Sequence, residues 1–422
     1  MTKIRILCLT TASGINQGVT NSYNGGGWGP SLQKLLESES EIELALAFPS
    51  KSKLPHSKNG NTNYYPIYTP EKSKLQKIKL YYGGYRYVCK EKYVLEIQNI
   101  IKEFKPNLIH LFGLENPFAT ILGKTNVPII VHLQGILNSC QNAFWPQGLN
   151  KVSLLWPLSK SEWIIRNGYR YAYNSIVARA KYEIELFKKV KYVMGRTRWD
   201  YDISRLYSPN SKYFHVDEVL RNEFYENAGS WNRNNKELII TSTISETIYK
   251  GFDIILKTAK ILTDEKINFH WNIIGVRPNT EFVRFFEGNY HIKCKNVNIK
   301  CMGVLSSSDI IKNLHNTAIF VHPSYIDNSP NALCEAQLLG VPVIATYVGG
   351  IPSLIDNAKN GYLVPANDPY SISYLIQNLN ADRALADKIS IEGYKTASVR
   401  HNRDKILCDI LSTYKKVVSN SY

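Results

Sequence analysis

Short runs of aliphatic and β-branched residues alternate along the chain with longer stretches of helical period. One set of runs lies at residues 4–9, 42–48, 108–112, 128–133, 192–195 and 213–216; a second lies at 238–242, 270–274, 299–302, 318–322 and 341–346. Several lack polar alternation, as strands covered on both faces do. Between the runs, apolar positions recur at helical spacing, and Phe252, Ile255, Leu256 and Ala259 form one such stripe. Strand–helix alternation, met twice over, predicts an α/β protein of two Rossmann-like, doubly wound parallel-sheet domains facing across a cleft. A polar, Asn-rich stretch at 218–236 suits a linker. The expected domains are therefore 1–218 and 219–402, and an amphipathic helix at about 403–422 is expected to pack back on the first of them.

The chain has 422 residues, 44% of them hydrophobic and 20% charged, which exceeds one ordinary domain. Its net charge of +16 attracts polyanions such as nucleic acid, anionic headgroups or phosphorylated substrates, without choosing among them. Seven cysteines (Cys8, Cys89, Cys140, Cys294, Cys301, Cys334, Cys408) form no C-x-x-C pair and read as buried free thiols of a reducing cytosol. The amino terminus lacks the longer apolar region of a signal peptide. No apolar run reaches the ~18–20 residues of a membrane span. A cytoplasmic location is expected, with any membrane contact peripheral.

Ligands of doubly wound sheets bind beyond the carboxyl ends of the strands, so chemistry is expected immediately after them. HPSYIDNSPNALCEAQLLG, residues 322–340, follows such a strand. Asn328 or Ser329 can cap a helix, Pro330 suits its first turn and Gly340 its end. The amides of Asn331, Ala332 and Leu333 would then be free at a helix N-terminus, a ready anion site flanked by Asp327 and Glu335. The same residues also read as a capped helix whose acids favour the macrodipole.

PSYIDNSPNALCEAQLLGVPVIATYVGGIPSLIDNAKNGYLV resembles the carboxylate signature of GT-B glycosyltransferases of the retaining family GT4. That signature is an acid, seven residues, then Glu, followed by G-x-P-V-I-A-T-x-x-G-G-I-P. The resemblance implies a retaining transferase that moves a sugar from a nucleotide-diphosphate donor, UDP by family habit, to a hydroxyl of a glycan or lipid-linked acceptor. Synthesis of bacterial surface polysaccharide or glycoconjugate is the implied setting. Glu335 is implied to bind the ribose and Asp327 to face the donor sugar, where the family's usual residue is the longer Glu. TSTISETIYKGFDIILKTAKIL, residues 241–262, resembles the family's phosphate loop, which sets Lys250 at the diphosphate. Where the family often has an Arg five residues earlier, this chain has Ser245, so Arg196 in GRTRWD and Arg277 in IIGVRP are candidate second cations. In NGGGWGPSLQKLLES, Gly26 and Gly27 would let the backbone approach a pyrophosphate or sugar closely, or simply make a flexible turn. His132, ending a strand in VPIIVHLQGIL, is implied to reach the donor sugar across the cleft; taken alone, a strand-end His reads as structural.

Asp200-Tyr201-Asp202 reads as D-x-D, the metal motif of the other large glycosyltransferase fold, but is expected to enter a helix. No other cluster has ligand spacing, so neither metal nor cofactor is expected; the nucleotide sugar is a substrate. Residues 71–93 hold seven Lys or Arg, two Glu and five Tyr, a mixture suited to an anionic membrane or acceptor, or to a simply solvated basic face. No nucleic-acid motif accompanies it, and nucleic acid is not an expected partner. Two other readings of the same fold are a sugar-nucleotide epimerase and a non-catalytic nucleotide-sugar-binding protein.

Overall fold

The computed structural model describes residues 3–10, 27–82, 91–149, 168–232 and 237–419. Among these, eight strands form the first sheet: β1 (Ile4–Leu9), β2 (Ile42–Ser50), β3 (Ser57–Asn59), β4 (Thr62–Tyr68), β5 (Leu108–Phe112), β6 (Ile129–His132), β7 (Tyr192–Gly195) and β8 (Lys212–His215). Six form the second: β9 (Leu238–Thr243), β10 (Phe269–Ile274), β11 (Ile299–Gly303), β12 (Ile319–His322), β13 (Val343–Thr346) and β14 (Tyr362–Val364). The spatial orders are β3-β4-β2-β1-β5-β6-β7-β8 and β11-β10-β9-β12-β13-β14. Pairing is parallel except between β3 and β4. Each order reverses at the first strand of its sheet, and a crevice opens beyond the carboxyl ends of such switch points.

Period 2 explains the unbroken apolar runs. Leu7, Leu9, Ile109 and Leu111 enter the core on one face of the first sheet, while Ile6, Cys8, Leu44 and Leu46 enter the core on the other. Three strands escaped the pattern. In β4 the sequence TNYYPIY carries a proline that argues against a strand, yet Pro66 pairs only with Phe48 of β2. β3 covers β4 only from Thr62 to Tyr64, so the missing amide at Pro66 falls on an open edge. β3 is a short polar strand, and β14 is three residues at the rim of its sheet.

The stretch expected as a linker is a packed junction. Leu220, Phe224 and Trp231 are buried with Ile310, Leu314, Leu333 and Leu339 of the second domain. Its polarity misleads because Glu218 and Arg221 are themselves buried and charge-paired. Residues 233–236 lie outside the described residues.

The chain crosses between the sheets a second time, where the helix Arg383–Arg400 hands over to Arg403–Ser419. The latter seats Ile406, Ile410, Tyr414 and Val417 in the first-sheet core beside Ile6 and Leu36. The crossings touch each other. His401 Nδ1 lies 3.0 Å from the Glu218 carbonyl oxygen, and the Tyr225 hydroxyl donates to the His401 carbonyl at 2.8 Å. Arg400 pairs with Asp217 at 2.9 Å and stands 3.8 Å from the Glu218 carboxylate, while Arg196 approaches that carboxylate at 3.9 Å.

The described cysteines are free thiols, and Cys8, Cys294 and Cys334 are buried; Cys408 is exposed, against expectation, and Cys89 lies outside the described residues. Among the described residues no helix is long and apolar enough to cross a membrane.

Burial pushes the Glu218 carboxyl up, but Arg400, His401 and Arg196 outweigh it and hold it down at about 2. His401 is itself pushed down by burial. An ordinary glutamate titrates near ~4.3, so Glu218 is depressed in the folded state. Its stabilisation, about 3 kcal/mol, is present above that pH and lost as pH falls toward 2. Urea unfolding of Glu218→Gln should therefore show a deficit of that order at neutral pH that shrinks through the acid range. A deficit that stays constant with pH would contradict this linkage.

Candidate active site

A cleft of about 440 Å³ lies at the carboxyl ends of both sheets. Gly27, Trp28, Gln134 and Arg196 line it from the first domain, and the segments after β9, β10 and β12 line it from the second. Arg221, from the junction, lines it too.

The chain after β9 makes a 3-10 turn, Ile248–Lys250, and then Gly251 at φ +79°. A Cβ on Gly251 would stand 2.1 Å from the Pro323 carbonyl oxygen, so only glycine lets this turn lie against the loop after β12. That contact brings Lys250 Nζ within 2.6 Å of Asp327 Oδ2, an oxygen that also lies 3.0 Å from His322 Nε2. Burial pushes the Asp327 carboxyl up, but Lys250 and His322 more than reverse this and hold it well below the usual range. Asp327 is thus a fixed anion, unsuited to donating a proton. Behind it, Gly349 at φ +52° would place a Cβ 2.0 Å from the Asp327 carbonyl oxygen, and the Gly350 amide donates to that oxygen at 3.0 Å.

The next helix begins differently from expectation. It runs Asn331–Leu339, with Pro330 as its cap residue and no side-chain cap. The expected caps are engaged across the cleft instead. Asn328 Oδ1 accepts from the Thr197 hydroxyl at 2.8 Å, and its Nδ2 donates to Asp200 Oδ1 at 2.8 Å and to the Gln134 carbonyl at 3.2 Å. The Ser329 hydroxyl donates to Glu218. Leu333 is removed from the anion site, since its amide donates to the Pro330 carbonyl at 2.9 Å. The amides of Asn331 and Ala332 remain, and both residues line the cleft.

Glu335, one turn in, is gripped by Arg221. Arg221 Nε and Nη2 donate to Oε1 and Oε2, each at 2.6 Å, a bidentate fork. Burial raises the Glu335 carboxyl against the opposing pull of Arg221. Arg221 is steadied by Ser307 Oγ at 3.1 Å and by the Phe224 ring at 4.6 Å. The two site acids are therefore each held by a cation from a different part of the chain.

Other expected site residues divide. Arg196 lines the cleft, donates to the Leu133 and Gln134 carbonyls, and lies 5.1 Å over the Trp28 ring. Gly27 lines it as well, and Gly26 lies outside the described residues. Arg277 is not in the wall; its side chain is exposed and pairs with Glu246 at 3.2 Å, the loop after Gly275 having turned it toward that acid. His132 is not in the wall either. It is buried 4.9 Å behind Trp28 and bonded to His110, so the indole takes the place at the cleft. Sequence reasoning gave no role to Arg221, His322 or Trp28. A lone Arg in a polar stretch carries no sign of a partner 114 positions away.

Neither metal-like arrangement has a metal site's character. Asp200 and Asp202 lie on the helix Arg198–Tyr207 but diverge. Asp200 is buried against the Arg196 amide and Asn328, and Asp202 is exposed and paired with Arg198. Glu218, Cys334 and His401 bring three donor atoms within 4.8 Å of one another, a cluster no sequence spacing reveals. Its carboxylate is already flanked by two guanidiniums, and burial raises the Cys334 thiol, which donates to Glu218 at 3.2 Å. The donor set fits a hydrogen-bonded hub.

Residues 223–396 match the family model described as glycosyl transferases group 1. The match covers most of the second sheet's domain. Protein CapJ of Staphylococcus aureus is 24% identical over 314 residues, 72% of this chain and 70% of its own length. The capsular polysaccharide biosynthesis glycosyltransferase CapM of the same organism is 27% identical over 172 residues, 41% of this chain and 44% of its own. The chain spans about a third of some relatives' length, 34% for WcaL of Escherichia coli, named for colanic acid biosynthesis, with 27% identity and 32% of this chain covered. The whole chain superposes on sucrose-phosphate synthase of Thermosynechococcus elongatus with TM-score 0.70 at 13% identity, covering 99% of this chain and 100% of that one. Anabaena HepE in complex with UDP-glucose gives 0.65 at 12% identity, covering 98% and 100%. The fold is GT-B, and Lys250, Asp327 and Glu335 lie within the residues that match the family model.

Gly349→Ala should shift the Asp327 loop, because the new Cβ meets backbone rather than a flexible side chain. We expect a stability loss of at least ~1 kcal/mol, from the left-handed conformation alone, in thermal unfolding. An unchanged melting temperature would show that the loop is not held this closely.

Proposed function

We propose that the protein is a retaining, GT4-type glycosyltransferase using a UDP-sugar donor and a glycan or lipid-linked acceptor hydroxyl in bacterial polysaccharide synthesis. The observation that carries the reading is the junction of Lys250, ionised Asp327 and the Asn331 and Ala332 amides at one end of the cleft, within a group 1 domain. The UDP-glucose complex of HepE and the capsular relatives support the donor and the setting.

In this reading the bond from the sugar's anomeric carbon to the diphosphate oxygen breaks, and a bond to the acceptor oxygen forms on the same face. The acceptor proton passes to the departing diphosphate. Negative charge grows on that diphosphate. Lys250 gives one donor to Asp327 and has further N–H groups for it, and the two helix amides add their share. Arg196 is the second cation in place of position 245, from the opposite wall. Asp327 accepts from a hydroxyl of the sugar, and Glu335, aligned by Arg221, accepts from the ribose. The chain's own cations and amides do this work, and the reading invokes no metal or cofactor.

The contact with an anionic membrane would fall on the helix Lys74–Tyr81. Leu75 and Ile78 are exposed there, with Tyr82 just beyond and Lys72, Lys74 and Lys79 around them.

Release of UDP from a panel of UDP-sugars, with NMR of the product's anomeric centre, tests the transfer. Lys250→Ala and Glu335→Gln should each lower the rate by ~10²-fold or more with the fold intact, and the product should keep the donor's anomeric configuration. Near-wild-type rates in both variants, or inversion, would refute the reading. For the membrane face, Leu75→Asp with Ile78→Asp should abolish cosedimentation with anionic vesicles; equal binding by the double variant removes that surface from consideration.

A further inference from the structure

Three buried side chains from three elements form one hydrogen-bonded line behind the cleft wall. Tyr414, on the helix Arg403–Ser419, has its hydroxyl 2.6 Å from His110 Nδ1 on β5. His110 Nε2 lies 3.2 Å from His132 Nδ1 on β6. His132 Nε2, at the end of the line, is buried with no hydrogen-bond partner among the described residues. Next to that ring stands Trp28, 4.9 Å away, which lines the cleft.

Burial pushes His110 down to about 3 and His132 well below its ordinary value, so both rings are neutral near pH 7. A line of a phenol and two neutral imidazoles has two proton arrangements. In one, the phenol donates to His110, His110 Nε2–H donates to His132 Nδ1, and His132 carries its proton on Nε2. In the other every bond is reversed. The phenol proton then has no acceptor, and His132 Nε2 is a bare lone pair. Among the described residues the Tyr414 hydroxyl has no second hydrogen-bond partner, its other polar neighbour being the buried Cys8 thiol, so the reversed arrangement leaves two polar groups unmatched where the first leaves one. Each unmatched buried group is unfavourable, and an aromatic face such as that of Trp28 can weakly accept the N–H that the first arrangement leaves over.

We propose that Tyr414 is a positioning residue, which through His110 fixes His132 as its Nε2–H tautomer, a donor and not a proton acceptor, on the first-domain side of the cleft. The last helix of the chain thereby sets the chemistry of a residue in the first domain. Its consequence for the reaction rests on the transfer reading: His132 then presents an N–H, not a lone pair, to the back of the Trp28 ring that lines the cleft. The tautomer itself does not rest on that reading.

Long-range proton–nitrogen NMR of the full chain with labelled histidine tests it, the His132 signals being assigned by their loss in His132→Gln. In the wild type, Nε2 should show the shift of a protonated ring nitrogen and Nδ1 that of an unprotonated one. In Tyr414→Phe, which removes the hydroxyl and so leaves His110 Nδ1 without a partner in either arrangement, the His132 pattern should move toward a mixture, while UDP affinity stays within twofold. A wild-type His132 protonated on Nδ1, or a pattern unchanged in Tyr414→Phe, overturns the proposal. Should that variant fail to fold, the wild-type spectrum decides alone. The spectra need no turnover, so an inactive protein would sink the transfer reading and leave the tautomer standing or falling by itself.

Discussion

The buried carboxylate of Glu218 sits where the chain passes between the two sheets, and much of the cleft's shape depends on it. Its carboxylate stands between Arg196 of the first domain and Arg400 of the returning helix. The same group accepts from Ser329 and Cys334, at the start of the helix that bears Glu335. Its carbonyl meets His401 at the second crossing. One ionised side chain thus ties both crossings to the site loop. An uncompensated charge at this depth would be strongly unfavourable, so the guanidiniums and the carboxylate require one another.

From that anchor outward the cleft is organised as cation–carboxylate pairs. Lys250 holds Asp327, Arg221 holds Glu335, and Arg196 stands toward Glu218. None of the three acids is free, and each fixes a cation or is fixed by one before any ligand arrives. For a reaction that develops charge on a departing diphosphate, this is preorganisation: the positive groups are already in place and need not be recruited during the reaction. Asn328 completes the arrangement by joining the site loop of the second domain to Thr197, Asp200 and the Gln134 carbonyl of the first.

Two kinds of information were legible in the sequence. Buried parallel strands show as unbroken apolar runs, and the eleven expected runs correspond to β1, β2, β5 to β8 and β9 to β13. The run from Asp327 to Glu335 and the Lys250 loop were visible because their spacing is local. What escaped is long-range. Asn328 and Ser329 looked like helix caps because cap propensity is a local property, while their partners lie 131 and 111 positions away. Arg221 looked like linker for the same reason. His132 looked like a cleft residue because it ends a strand, but Trp28 covers it. Gly349 belonged to a recognisable motif, yet its need to be glycine comes from the Asp327 carbonyl packed against it.

In the proposed transfer the diphosphate of a nucleotide lies between Lys250 and the start of the helix Asn331–Leu339. A crystal structure of the protein with UDP tests this most directly. Phosphate oxygens should lie within hydrogen-bond distance of Lys250 Nζ and of the Asn331 and Ala332 amides, with the ribose beside Glu335. UDP bound elsewhere, or a phosphate that leaves the Lys250–Asp327 end of the cleft vacant, would contradict it.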